Sequence, residues 1–134
     1  MASIIANTSG ALDLSAVDAQ WVVEAARKLE ALGHLRANWD SYGGKPLNQG
    51  IKKFTVQVLK SLRNEDLPIP AVVLGSGGTI QLEWHVKQKE LEVELRDDNT
   101  IEFMKVLQNG DTTEGEARDN VAAALRGLSR WLQE

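Results

Sequence analysis

Acidic side chains at alternating positions are the residues of this chain that could carry chemistry. Glu83 and His85 alternate with large apolar residues in one segment, and Glu92 and Glu94 do so in the next. Side chains of a strand point to opposite sides in turn, so the two segments predict a hairpin with an apolar face and an acidic face. Carboxylates and an imidazole on one face can receive basic side chains of a partner or bind a divalent cation.

The register of this hairpin decides which acidic residues are neighbours. With a four-residue connection between the strands, Glu83 lies opposite Glu94 and His85 lies opposite Glu92. A third strand places Glu102 opposite Glu94 and completes a row of carboxylates across the outer face. Like charges directly opposite each other cost on the order of tenths of a kcal/mol, so such a row needs either compensating cations or a use.

The acidic row permits a functional and a structural interpretation. The functional one is a docking surface for a basic partner, or a weak divalent-cation site. The structural one is that Arg96, Lys105 or the basic face of a helix neutralises the row, or that a bulge near Met104 interrupts it. The sequence leaves both open.

A second candidate site is the loop of residues 38–46, which is rich in turn-forming residues and carries Trp39, Asp40 and Tyr42. Large aromatic side chains on a loop are typical interface anchors, and an aspartate beside them can receive a basic side chain. Alternatively, the two aromatic residues fill the core while Asp40 accepts hydrogen bonds from nearby backbone N–H groups.

No set of residues predicts catalysis, metal binding or a cofactor. Cysteine is absent, which excludes disulfides, thiolate nucleophiles and cysteine-based zinc sites. His34 and His85 are the only histidines, and neither lies in a metal-ligand motif. Ser41 and Ser76 lack the sequence context of a nucleophile, and the glycine-rich segments are too short for a phosphate-binding loop. We therefore expect no cofactor, and the sequence favours a non-enzymatic role without deciding the question.

Amphipathic helices and alternating strands position these residues. Helical periodicity predicts helices over 15–33, 48–62 and 121–132, the first of which either ends at Gly33 or continues through it, because Leu35 and Trp39 extend its apolar stripe. Alternation predicts strands over 71–74, 79–86, 91–96 and 100–107. We interpret residues 109–115 as a polar connection. Short connections favour antiparallel pairing, so the predicted class is α+β: a four-stranded antiparallel meander with two helices before it and one after it, in the order ααββββα.

Length and composition predict a single domain. With 134 residues, 43% of them hydrophobic, the chain can bury a core. Residues 1–14 show no sustained period and predict a loosely ordered arm before one domain over 15–134. We expect a cytoplasmic protein without membrane contact, because the first residues lack a charged leader and no run of about 18 apolar residues occurs. The formal net charge of -4 argues against a general nucleic-acid binder.

The motifs of residues 35–107 resemble those of a group of small uncharacterised bacterial and phage proteins. The resemblance is carried by Asn-Trp-Asp-Ser-Tyr-Gly at 38–43, Pro-Ala-Val-Val at 70–73, Leu-Glu-Trp at 82–84 and Leu-Glu-Val-Glu-Leu at 91–95. It implies that the loop and the Leu-Glu-Trp strand belong to one unit, and it carries over no activity. The occurrence of such proteins on mobile elements favours an accessory or conflict role.

These observations favour a non-enzymatic protein-protein interaction module, such as an inhibitor, antitoxin, immunity or phage anti-defence protein. The expected partner is another protein with a basic surface, bound through the acidic row or the loop. One alternative is a small metal- or ligand-dependent enzyme that uses Asp40, Glu83 and His85. A second alternative is a nucleic-acid-binding protein that uses the basic residues of the second helix, Lys52, Lys53, Lys60 and Arg63.

Overall fold

Three helices and one five-stranded antiparallel sheet make up residues 16–62 and 66–134, the part of the chain that this computed structural model describes. In chain order the elements are α1 (Ala16–Gly33), α2 (Gln49–Leu62), β1 (Ala71–Leu74), β2 (Ile80–Val86), β3 (Lys89–Leu95), β4 (Ile101–Val106), β5 (Thr112–Ala117) and α3 (Val121–Gln133). The predicted arm over residues 1–14 lies outside the described residues. None of the described helices is long and apolar enough to cross a membrane.

The sheet is a meander in which strand order follows chain order and every neighbouring pair is antiparallel. The predicted α+β class and antiparallel sheet are confirmed, but the predicted number of four strands is wrong. Residues 112–117 form β5 at the edge of the sheet, where we predicted a polar connection. The sequence of β5 has no apolar alternation, because Phe103 of β4 covers Gly115 on the core side. A side-chain carbon at Gly115 would lie 2.5 Å from Cζ of that ring.

The core lies between one face of the sheet and the three helices. Alternate residues of the central strands are buried there, among them Leu82, Trp84 and Val93. The predicted apolar face of α2 is confirmed, since all its members are buried: Ile51, Phe54, Thr55, Val58, Leu59 and Leu62. Burying large aliphatic side chains in this way contributes roughly 1.5–3 kcal/mol each relative to exposure, and it fixes which face of the sheet is left to solvent.

A two-residue turn, Lys87 and Gln88, joins β2 to β3. Turns of this class need positive φ at both central residues, which asparagine and glycine usually supply. Here Lys87 and Gln88 adopt it, with φ of 53° and 66°. Lys89 therefore belongs to β3, and the predicted four-residue connection is wrong.

The end of α3 holds this turn in place. Lys89 Nζ donates hydrogen bonds to the carbonyl oxygens of Trp131, at 2.6 Å, and Glu134, at 2.9 Å. Lys87 Nζ donates to the carbonyl oxygen of Gln133 at 2.6 Å. Cations are favourable at the carboxyl end of a helix, where backbone carbonyls lack partners. These contacts join the turn to residues far away in the chain, so the sequence around the turn does not predict them.

The tighter turn shifts the β2–β3 register by two residues. Glu83 lies opposite Glu92 instead of Glu94, and His85 lies opposite Glu90 instead of Glu92. The predicted pairing of Glu94 with Glu102 is confirmed. A shift of two residues exchanges partners but keeps every side chain on its face, because the period of a strand is two. The predicted acidic face is therefore present with different neighbours.

Candidate functional site

Seven glutamates lie on the solvent side of the sheet. Six of them, in two neighbouring rows, form the surface that we call the acidic face: Glu83, Glu92, Glu94, Glu102, Glu114 and Glu116. The seventh, Glu90, lies opposite His85 on the same side of the sheet. Each is exposed or half-buried, and the described helices pack against the opposite face. Glu114 and Glu116 were not among the predicted site residues, because β5 was missed. The Asn109-Gly110 pair was the available signal, since such pairs are typical of hairpin turns.

The first row of the acidic face is partly neutralised. It joins Glu94, Glu102 and Glu116 across three strands. Arg96 Nη2 lies 3.2 Å from Glu94 Oε1 and also forms an ion pair with Glu102. Desolvation opposes the charged guanidinium, but the two carboxylates outweigh it and raise the pKa of Arg96. At the far end of the row, Nε of Arg118 lies 3.2 Å from Glu116.

This row agrees in part with the structural interpretation, in which basic side chains neutralise the carboxylates. Arg96 is one of the two cations predicted to neutralise it. The other, Lys105, lies on the helix side of the sheet, with Nζ 5.1 Å from the centroid of the Trp131 ring. Lys105 therefore does not neutralise the acidic face.

The second row of the acidic face pairs with no cation among the described residues. Gln81 Nε2 donates hydrogen bonds to Glu83, at 2.9 Å, and Glu92, at 2.7 Å, but the amide is neutral. Glu114 occupies the same row on β5, separated from Glu92 by Met104. Within the described ranges, no basic side chain forms an ion pair with any of these three glutamates. The unbalanced negative charge of the face is concentrated in this row.

A shallow groove of about 460 Å³ runs between the two rows. Its walls carry Glu92, Glu94, Glu102, Glu114 and Glu116, and the half-buried side chain of Met104 adds an apolar surface. Such a groove can receive a side chain with a hydrocarbon stem and a cationic end, because lysine and arginine combine both.

The two histidines lie on different elements. His85 is exposed at the end of β2, and His34 follows α1, with Nε2 3.9 Å from Glu30. The described residues contain no group of three or more His, Asp or Glu side chains placed to hold a metal ion. Asp40, Glu83 and His85, the residues of the enzyme alternative, are thus not brought together as a metal site.

The predicted loop site divides into two structural residues and one exposed residue. Trp39 is half-buried against the core, and its Nε1 donates to the carbonyl oxygen of Lys45 at 2.8 Å. Asp40 Oδ1 accepts hydrogen bonds from the backbone N–H groups of Tyr42, at 2.9 Å, and Gly44, at 2.8 Å. These bonds, that of Tyr42 first, lower the pKa of Asp40. Tyr42 itself is 90% exposed, which fits the interface interpretation for this residue alone.

The loop and the acidic face meet at the turn between β1 and β2. Backbone N–H groups of Lys45 and Asn48 donate to the carbonyl oxygens of Ser76, at 2.7 Å, and Gly78, at 3.1 Å. In the same turn, Thr79 Oγ1 donates to Glu94 at 3.1 Å. The loop is thereby joined to the strand that carries Leu-Glu-Trp.

Three basic residues of the nucleic-acid alternative, Lys52, Lys53 and Lys60, lie on α2, away from the acidic face. Lys52 forms an ion pair with Glu30 at 2.9 Å, and this contact lowers the pKa of Glu30. Lys52, Lys53 and Lys60 line a shallow surface groove of about 500 Å³ on α2. Arg63 lies outside the described residues.

Comparisons of the chain with protein-family models, curated proteins and solved structures found no match. The resemblance of residues 35–107 therefore rests on its own motifs. The functional argument depends on the geometry and charge of the described surfaces.

Proposed function

We propose that this protein is a non-enzymatic interaction module whose acidic face binds a basic surface of another protein. The observation that supports the proposal most strongly is the second row, in which Glu83, Glu92 and Glu114 have no cation within the described ranges. A partner that supplies Lys or Arg relieves the repulsion between these like charges and gains charge-assisted hydrogen bonds.

The groove favours a partner with both charge and hydrocarbon. Met104 lies in the second row and lines the groove, so an inserted side chain is partly removed from water where it meets the carboxylates. Ion pairs in partly desolvated sites are screened less by salt than those on an open surface. Complementary charge also speeds association and disfavours acidic competitors.

An inhibitor, antitoxin, immunity or anti-defence protein acts by occupying a partner's surface, and the resemblance to proteins of mobile elements suggests this class. We propose that the protein acts in the cytoplasm, as we expected from the sequence. Capture of the complex would identify the partner and, through it, the activity that is blocked.

The test is affinity capture from the source cell with two charge-matched variants. In Glu83→Lys/Glu92→Lys the reversed residues belong to the second row, and the Arg96 ion pairs of the first row stay intact. In the control, Glu24→Lys/Glu134→Lys, Glu24 is exposed on α1, Glu134 is exposed directly after α3, and the net charge changes equally. Both variants should unfold cooperatively in urea, with midpoints near that of the unsubstituted protein.

The proposal expects a protein that the unsubstituted chain and the control retain and that the second-row variant loses. It also expects weaker retention at higher salt, because part of the attraction is screened. Equal retention of that protein by both variants, or its loss from both, contradicts binding through the acidic face.

A further inference from the structure

We infer that the free edge of β5 takes an extended segment of the basic partner as a sixth strand of the sheet. This inference deepens the proposed function and rests on it for the charge of the partner. Its other support, the backbone geometry of the edge, is independent of charge. β5 pairs only with β4 among the described strands, and its six residues are long enough for strand addition.

The backbone groups that face the free edge follow from the β4–β5 hairpin. Leu107 N–H donates to the carbonyl oxygen of Asp111 at 2.8 Å, which makes these two residues a hydrogen-bonded pair. Hydrogen-bonded and non-hydrogen-bonded pairs alternate along an antiparallel ladder. The N–H and C=O groups of Thr112, Glu114 and Glu116 therefore point away from β4. Those groups form the template that an added strand requires.

The same residues carry carboxylates on the acidic face. A residue directly opposite Glu114 or Glu116 in an antiparallel added strand would share their face and exchange backbone hydrogen bonds with them. Lysine or arginine at these alternate positions thus combines ladder bonds with charge pairing. Glu114 has no cation in the described ranges, whereas Glu116 already contacts Arg118.

The core side of the edge suits small apolar residues at the intervening positions. Gly115 has no side chain, and the ring of Phe103 lies over it. Phe103 is only half-buried, so an added strand would extend the apolar surface beside it. The expected segment alternates a basic residue with a small or β-branched apolar residue.

Charge also favours a basic partner over a second copy of this chain, and β5 over the other edge strand, β1. A second copy pairing antiparallel at β5 would bring Glu114 and Glu116 against their own equivalents, which is unfavourable. The opposite edge, β1, has four residues and no acidic side chain. A basic strand from another protein therefore fits β5 better than either alternative.

The test uses three synthetic peptides that match β5 in length and alternate lysine with valine or threonine. The first has an unmodified backbone. The second is N-methylated at the lysines, whose N–H groups would face β5. The third carries the same number of N-methyl groups at the intervening residues, whose N–H groups would face solvent. Binding to the full chain is followed by calorimetry, with amide hydrogen exchange at Glu114 and Glu116 as a local readout.

We expect the first and third peptides to bind with similar affinity and to slow exchange at Glu114 and Glu116. The affinity of the second peptide should be lower by a factor of about ten or more, because it loses backbone hydrogen bonds to β5. Equal binding by all three overturns strand addition but agrees with recognition of charge by the acidic face. Absence of binding by all three overturns the inference, while the capture experiment decides the proposed function separately. A concentration-dependent dimer that Glu114→Lys changes would assign the edge to a second copy and also overturn it.

Discussion

The loop of residues 38–46 and the acidic face both carry exposed polar groups, but those groups differ in what they bond to. In the loop, Asp40 and Trp39 bond to the loop's own backbone. Asn38 does the same, with Oδ1 2.7 Å from the N–H of Gly43. Polar groups that are satisfied within a loop fix its shape and leave little for a partner.

The acidic face holds more carboxylates than the described residues can neutralise. Arg96 serves Glu94 and Glu102, whereas Glu83 and Glu92 share one neutral amide. Such groups gain from an external cation. The comparison therefore favours the acidic face over the loop, apart from Tyr42, as the proposed binding surface.

The largest expected effect on stability is at Gly78, where the loop rests on the sheet. A side-chain carbon there would lie 2.6 Å from the carbonyl oxygen of Pro46, and φ is +85°. Gly78→Ala should lower the free energy of unfolding by about 2 kcal/mol or more, measured by urea denaturation. The neighbour Gly77→Ala is the control, since nothing lies within 4 Å of the added carbon. A similar loss of stability in both variants would contradict the importance of the contact between Gly78 and Pro46.

A smaller effect is expected at Asp40, and it depends on pH. Backbone hydrogen bonds hold the folded-state pKa of Asp40 below its ordinary value of 3.8. A lowered folded-state pKa stabilises the protein above the ordinary value, and the stabilisation is lost as the pH falls through the folded-state pKa. Asp40→Asn keeps the acceptor oxygen but not the charge. Its free energy of unfolding should therefore be lower than that of the unsubstituted protein at pH 7, and the two values should converge in acid. A gap that stays constant from pH 7 to strong acid would contradict this role.

At Arg96 we expect stability and binding to change in opposite directions. Arg96→Ala leaves Glu94 and Glu102 facing each other without a cation, so the urea midpoint should fall slightly at low salt and recover at high salt. The same variant removes an internal competitor for the carboxylates, so a basic partner should bind more tightly. Weaker partner binding by Arg96→Ala would mean that Arg96 contacts the partner directly.

The smallest effect on stability is expected at Tyr42, which is 90% exposed. Tyr42→Ala should unfold at the same urea concentration as the unsubstituted protein. Trp39→Phe, which loses the hydrogen bond to Lys45, should unfold earlier. Loss of a captured partner from Tyr42→Ala alone would extend the binding surface to the loop.

The sequence predicted the elements whose packing is local and regular. The buried face of α2 was predictable because its members recur at helical spacing. The acidic face was predictable for the same reason, since alternation fixes faces even when the register is displaced by two residues. Glu83 and Glu94 were therefore placed on the correct face, but the predicted pairing between them was wrong.

The errors came from interactions between distant residues. β5 lacks an apolar pattern because Phe103, from another strand, covers Gly115. The β2–β3 turn is short although neither Lys87 nor Gln88 favours positive φ. Lys87 within the turn and Lys89 directly after it bond to the end of α3. Periodicity within one segment carries no information about such contacts.

Carboxylate footprinting of the captured complex tests the central claim most directly. Carbodiimide coupling labels exposed carboxyl groups, and mass spectrometry measures each glutamate with and without partner. We predict protection of Glu83, Glu92 and Glu114 in the complex, with Glu24 on α1 labelled equally in both states. Unchanged labelling of these three glutamates in a complex that is fully formed would contradict binding through the acidic face.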